Sequence, residues 1–237
     1  MEKTLQQQIQ ELKKKHHIVI LAHNYQNPEI QDIADFVGDS LDLSLKATKT
    51  DAKIIVFCGV DFMAEAAKIL NPEKIVILPD KTANCPMAEM VDVESLTWLI
   101  KEHPDAQVVA YINTTADVKT LADICCTSAN GVNIVKSMPA KKIIFVPDRN
   151  LGLYIQKQVP EKEILLWPGV CRTHHDIKKE DIVALKKKHP RAEILVHPEC
   201  QPEVIEIADY AFSTNGMVTH VKTSPKKEFI IGTEQGM

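Results

Sequence analysis

Short, almost wholly apolar runs punctuate this chain, and between them apolar residues recur at helical spacing. Residues 18–40, 108–130 and 194–216 each read as a buried strand, a polar loop, an amphipathic helix and a second short strand. The three segments superpose without a gap. An Ala-Asp pair closes each predicted helix, at Asp35, Asp123 and Asp209, and 12 residues before each Asp a polar residue ends the first strand: His23, Tyr111 and His197. Five residues after each Asp stands a hydroxyl, on Ser40, Ser128 or Thr214. Agreement at this many kinds of position identifies an internal repeat, and repeats decide the fold before any single motif does.

The stretch after each copy repeats as well. An apolar strand follows at residues 53–57, 142–146 and 227–231. In the first two copies a helical pattern (62–70 and 151–159), a Pro-containing turn and a further apolar run (75–78 and 164–167) complete the unit. Strands this apolar are covered on both faces, so the pattern predicts an α/β fold of three pseudo-symmetric α/β/α units with small parallel sheets. The units span residues 1–88, 89–173 and 174–237. Just past the last strand of the first two stands a cysteine: Cys85, 27 residues after Cys58, and Cys171, 25 after Val146, the counterpart of Cys58. The same interval counted from Ile231 would set a third cysteine roughly 20 residues past Met237, so the third unit is expected to be truncated. Without its final helix and strand, that unit is expected to leave residues 194–196 and 229–231 bare and the chain prone to associate.

Composition changes this picture little, since 45% hydrophobic and 25% charged residues in a chain of 237 are ordinary for a globular protein. The net charge is −4, and the lysines are scattered over helix faces such as residues 13–15 and 186–188, which leaves no basic stripe for nucleic acid. No apolar stretch is long enough to span a bilayer, and the start leads into a charged helix, so the expectation is a cytoplasmic protein with no membrane partner. In that reducing compartment the six cysteines are metal ligands or buried thiols rather than disulfides, and most are expected to be small buried hydrophobes.

Candidate chemistry gathers at the strand ends. Loops at the carboxyl ends of parallel strands converge on ligands, and every polar position marked by the repeat falls there. A pseudo-threefold axis relating the units would aim these ends at one central cavity. Residues 128–131 and 213–216, Ser-Ala-Asn-Gly and Ser-Thr-Asn-Gly, offer hydroxyls and backbone N–H groups at predicted helix starts. Such a place either binds phosphate or carboxylate or is simply capped by Ser and Thr. His23 with Tyr25, and His197 with Glu199, stand two apart, so alternation sends each pair to one side, ready for proton transfer. His174 and His175 follow Cys171 closely and lie either beside a metal or at the start of a surface helix. There is no Gly-x-Gly-x-x-Gly or Walker loop among only 8 glycines, so nucleotide-dependent redox and phosphoryl transfer lack a motif. There is no Cys-x-x-Cys pair either. Isolated cysteines from separate units are what a cluster at the centre of three units would require, one thiolate from each.

The segments Ala22-His23-Asn24-Tyr25-Gln26, Gly38-Asp39-Ser40, Tyr111-Ile112-Asn113-Thr114-Thr115-Ala116, Cys126-Thr127-Ser128-Ala129-Asn130, His197-Pro198-Glu199-Cys200 and Ser213-Thr214-Asn215-Gly216-Met217 resemble the signature segments of the quinolinate synthase family. The likeness runs nearly end to end. It implies a [4Fe-4S] cluster held by three cysteines, with one iron left free as a Lewis acid. It also implies condensation of iminoaspartate with dihydroxyacetone phosphate to quinolinate on the route to NAD, the iminoaspartate being supplied by an aspartate-oxidising enzyme. Carried over by position, Cys85 and Cys171 fall on two cluster ligands, and the third has no counterpart in this chain. His23, Tyr25, Tyr111, His197 and Glu199 are implied to position substrate and move protons. His23, Ser40, Tyr111, Asn113, Ser128, His197, Glu199, Ser213 and Thr214 are implied to bind it. Two other readings stand beside this one. The first is a metal-free lyase or isomerase of a small phosphorylated sugar, with the cysteines as core packing. The second is a zinc-binding scaffold with Cys85, Cys171 and His174 or His175 as ligands.

Overall fold

In the computed structural model, which describes residues 3–237, three parallel sheets form where the three apolar repeats lie. They fall in two units. The first comprises Met1–Cys85 with Gln235–Met237. It holds α1 (Leu5–His16), β1 (Ile18–His23), α2 (Pro28–Ile33), β2 (Phe36–Gly38), α3 (Ser40–Lys49), β3 (Ile54–Cys58), α4 (Asp61–Leu70) and β4 (Ile75–Ile77). Its sheet runs β2-β1-β3-β4, all parallel. Thr4 starts α1 through a reciprocal cap: its hydroxyl accepts from the Gln7 N–H at 3.3 Å while the Gln7 side chain accepts from the Thr4 N–H at 3.0 Å. Leu21, Leu43, Ile55, Phe57 and Phe62 are fully buried in this unit.

The second unit, Pro86–Glu234, carries two sheets. Its first part is α5 (Val93–Glu102), β5 (Ala106–Tyr111), α6 (Ala116–Lys119), β6 (Ile124–Cys126), α7 (Gly131–Ser137), β7 (Lys142–Val146), α8 (Arg149–Gln158) and β8 (Glu163–Leu166). The order is β6-β5-β7-β8, the same as in the first unit. Then follow α9 (Arg172–His175), α10 (Lys179–Lys188), β9 (Glu193–Val196), α11 (Pro202–Ile205), β10 (Tyr210–Ala211), α12 (Thr214–Thr223) and β11 (Phe229–Gly232), with the sheet order β10-β9-β11. The helices expected between first and second strands shrink to one turn at α6 and α11. In place of a longer helix, the repeat's aspartate returns the chain to the sheet.

That aspartate acts alike in all three copies. Its N–H donates to the carbonyl of Ile20, Val108 or Ile194 at 2.9, 3.0 and 2.9 Å, and its carboxylate accepts from the N–H of the same residue at 2.8, 2.7 and 2.8 Å. Asp35, Asp123 and Asp209 thus satisfy both backbone groups of one first-strand residue where the second strand has not yet begun. In the first copy Lys13 adds an ion pair to Asp35 at 2.9 Å.

Two expectations are corrected. Residues 194–196 are not bare: β9 is the central strand of its sheet, and Ile182, Ala192, Val204 and Ile230 pack with Ile194 and Val196 in one buried cluster. Only Ile231, on the free edge of β11, is exposed. Nor are most cysteines buried, for only Cys126 and Cys200 are. Cys58, Cys85 and Cys171 are half-buried, and Cys125, pointing away from its neighbour Cys126 on edge strand β6, is exposed. Among the described residues no helix is long and apolar enough to cross a membrane.

Candidate active site

In the second unit the carboxyl ends of β5 and β9 carry Tyr111 and His197, both buried. After β9 the chain turns tightly, with the Cys200 N–H donating to the His197 carbonyl at 3.0 Å and the Glu199 N–H to His197 Nδ1 at 3.3 Å. The His197 ring thereby carries its proton on Nε2. The turn drives Glu199 inward, to 2% exposure.

Opposite it stands the loop after β8. Cys171 begins α9, and its carbonyl accepts from the N–H groups of His174 and His175 at 3.2 and 2.7 Å. This places His174, itself buried, among three partners: Nδ1 lies 2.8 Å from Glu199 Oε2 and 3.1 Å from Cys171 Sγ, while Nε2 meets the Thr233 hydroxyl at 2.9 Å. The His174 and His197 rings stack with centroids 4.4 Å apart. Donor atoms of Cys171, His174 and Glu199 all lie within 4.8 Å of one another, a grouping able to hold a metal ion.

The electrostatics follow from this crowding. Burial alone would raise the Glu199 carboxyl, but the His197 and His174 imidazoles and hydrogen bonds from His174 and Tyr111 prevail and hold it well below the usual carboxylate range. Burial, and then the Glu199 charge, push the Cys171 thiol far up, so it keeps its proton unless a metal takes the proton's place. Burial and Glu199 likewise push the Asp148 carboxyl up to about 8. Glu199 Oε1 is buried and without a hydrogen-bond partner. In a native site such an atom points to a group that arrives with the ligand.

Of the residues picked from the sequence, Tyr111, Cys171, His197 and Glu199 come together here. Ser213 caps α12, its hydroxyl accepting from the Gly216 N–H at 3.3 Å, and Thr214 follows it, buried, on the first turn. Asn113 lies just past β5. Ser128 is not at a helix start: Asn130 accepts from the Thr127 N–H at 2.7 Å, which makes a turn of residues 127–130 and delays α7 to Gly131. In the first unit His23 ends β1, with Nδ1 accepting from the Tyr25 N–H at 3.2 Å, the same turn that His197 makes with Glu199. The His23 and Tyr25 rings meet edge to face at 4.5 Å. Ser40 opens α3, and Cys85 is half-buried at the end of its loop.

Sequence reasoning missed Asp148, Asn150 and Thr233, and left His174 undecided. Asp148, fully buried at the N-cap of α8, accepts from the Leu151 N–H at 2.6 Å and the Cys171 N–H at 2.9 Å. Asn150 Nδ2 reaches the Glu199 carbonyl at 2.9 Å and His175 Nδ1 at 3.1 Å. The signals available were faint: an Asp before a helix, and a His pair three residues past a cysteine.

Comparison with known proteins gives the family. The profile of the family described as quinolinate synthetase A protein matches residues 7–237. A quinolinate synthase of Thermodesulfovibrio yellowstonii is 59% identical over 231 residues, which cover 98% of this chain and 76% of that protein. One of Methanosarcina barkeri is 54% identical at the same coverage, and one of Desulforudis audaxviator is 56% identical over 97% of this chain and 76% of its own length. A match over nearly the whole chain, to relatives that share more than half its residues, shows that the chain belongs to the quinolinate synthetase A protein family.

Proposed function

We propose that this chain is a quinolinate synthase that condenses iminoaspartate with dihydroxyacetone phosphate to give quinolinate, phosphate and water. In this reading it acts in the cytoplasm on the route to NAD, with iminoaspartate supplied by an aspartate-oxidising enzyme. The observation that carries the reading is the grouping of Tyr111, His174, His197, Glu199 and Cys171 at the carboxyl ends of β5 and β9, in a chain whose relatives bear that name.

A [4Fe-4S] cluster is part of the proposal, with Cys85 and Cys171 as two thiolate ligands. The donor set supports it: a protonated thiol surrounded by a carboxylate and an imidazole suits exchange of its proton for a metal, and the unpartnered Glu199 Oε1 suits an incoming electropositive group. When bound, the cluster supplies a Lewis acid. The protein's own residues do the proton work. Glu199, held ionised, accepts hydrogen bonds from His174 and the Tyr111 hydroxyl and orients them, and those two groups pass protons to or from substrate carbon, nitrogen and oxygen. His197 Nε2 offers a donor to a substrate carboxylate, and the hydroxyls of Ser128, Ser213 and Thr214 and the Asn113 amide are proposed to hold carboxylate or phosphate groups. His23, Tyr25 and Ser40 are proposed for the same tasks in the first unit.

Cys171, His174 and Glu199 also suit a single cation such as Zn²⁺, which supports a second reading as a zinc site. One experiment separates the two. Because the third thiolate that the resemblance implies has no counterpart among these 237 residues, the chain is tested in a form that carries it, reconstituted anaerobically with iron and sulfide and supplied with both substrates. Iron and sulfide retained in cluster proportion with quinolinate released is the expected result. One zinc per chain, no sulfide and no product would overturn the proposal in favour of the zinc site.

A further inference from the structure

We infer that Asp148 and Asn150, at the start of α8, are positioning residues that set the Cys171 thiol against the Glu199 carboxylate. The inference rests on the reading of Cys171 as a metal ligand and assigns neither residue contact with substrate or metal.

A working constellation must be held to roughly 0.5 Å, so its backbone has to be pinned by something stiffer than its own loop. Helix α8 is stiff, because Leu151 and Ile155 on its inner face are fully buried. Its first turn reaches out twice. The Asp148 carboxyl group is shared, one oxygen capping the helix at the Leu151 N–H and the other accepting from the Cys171 N–H. The Asn150 amide holds the Glu199 carbonyl and His175. Metal thiol and buried carboxylate are thus fixed to the same helical turn. Gly169 makes the approach feasible, since a Cβ there would lie 2.5 Å from the Pro147 carbonyl oxygen. The arrangement has a cost that packing would not choose: Asn150 Oδ1 is buried without a partner. A polar side chain retained on those terms points to position rather than to stability.

Asp148→Asn separates the two halves of the clamp. Its carboxamide oxygen still caps Leu151, but its NH₂ faces the Cys171 N–H, donor against donor. Two readouts are taken. The first is the rate at which iodoacetamide alkylates Cys171 in the metal-free chain, followed by peptide mass and referred to Cys85 in the same sample. The second is the rate at which a chelator strips iron from the reconstituted chain. The expected result is Cys171 alkylation and iron loss each about tenfold faster in Asp148→Asn, with Cys85 alkylation and the melting temperature of the metal-free chain unchanged. Unchanged Cys171 alkylation, or acceleration of every cysteine together with a lowered melt, would overturn the inference. If Asp148→Asn does not fold, Asp148→Ser keeps a helix cap too short to reach Cys171 and is read in the same way. Should the wild-type chain hold no iron, the proposed function fails, while alkylation still decides whether Asp148 fixes Cys171.

Discussion

The cysteine loops of the first and second repeats share a backbone and differ in chemistry. In both, the first residue of the helix after the third strand donates its N–H to a carbonyl two residues before the cysteine, Asp61 to Ala83 and Arg149 to Gly169, each at 2.8 Å. One residue earlier the copies part. Val60 caps nothing, whereas Asp148 holds both its helix and Cys171. Backbone pairing is what the repeat preserves, because it satisfies the sheet. The side chains at the strand ends are free to change, and the buried group of Cys171, His174 and Glu199 stands where they did.

The strongest way to break the comparison is to remove the feature the loops share. Cys85→Ser and Cys171→Ser should each abolish iron retention and quinolinate formation, while Cys125→Ser, on an exposed edge, leaves both unchanged; iron analysis and a product assay check this. Retention of full iron by Cys85→Ser would mean that only the second loop works.

Next come the three aspartates. Asp123→Ala and Asp209→Ala should each lower stability by about 1 kcal/mol in denaturant melts, and Asp35→Ala by about 2, because it also strands Lys13 in a mostly buried position. Three equal losses would show that the Lys13 pair contributes nothing.

Smaller still is the lysine that follows the Pro turn. Lys74 donates to the Ala47 and Thr50 carbonyls at the end of α3, and Lys162 to the Met138 and Ala140 carbonyls past α7. Lys74→Met and Lys162→Met should each cost about 0.5 kcal/mol, read by the same melts. A loss in one copy alone would limit the equivalence of the repeats to their strands.

Much of this was legible in the sequence because period and spacing carry it. The gapless repeat led to three sheets with the same central order, and its spacing picked out Tyr111 and His197, while Glu199, expected beside His197 by strand alternation, reaches the site through a tight turn. What stayed hidden depends on side chains that act across the fold. Asp35, Asp123 and Asp209 marked the repeat, but their grip on a first-strand residue 15 positions back cannot be seen from spacing. Asp148 looked like any helix cap, since its second oxygen is used by a residue 23 positions on. His174 was ambiguous because a helix of one turn has no face to read, and Thr233 meets it from 59 positions away.

In the proposed function the buried Glu199 carboxylate, gripped by His174 and close to Cys171, orients and charges the groups that move protons in quinolinate formation. Glu199→Gln keeps the shape and removes the charge, so single-turnover product formation at equal iron content measures it directly. A drop of about 10²- to 10⁴-fold with iron and melting temperature retained is the predicted result. Quinolinate released at the wild-type rate would contradict it.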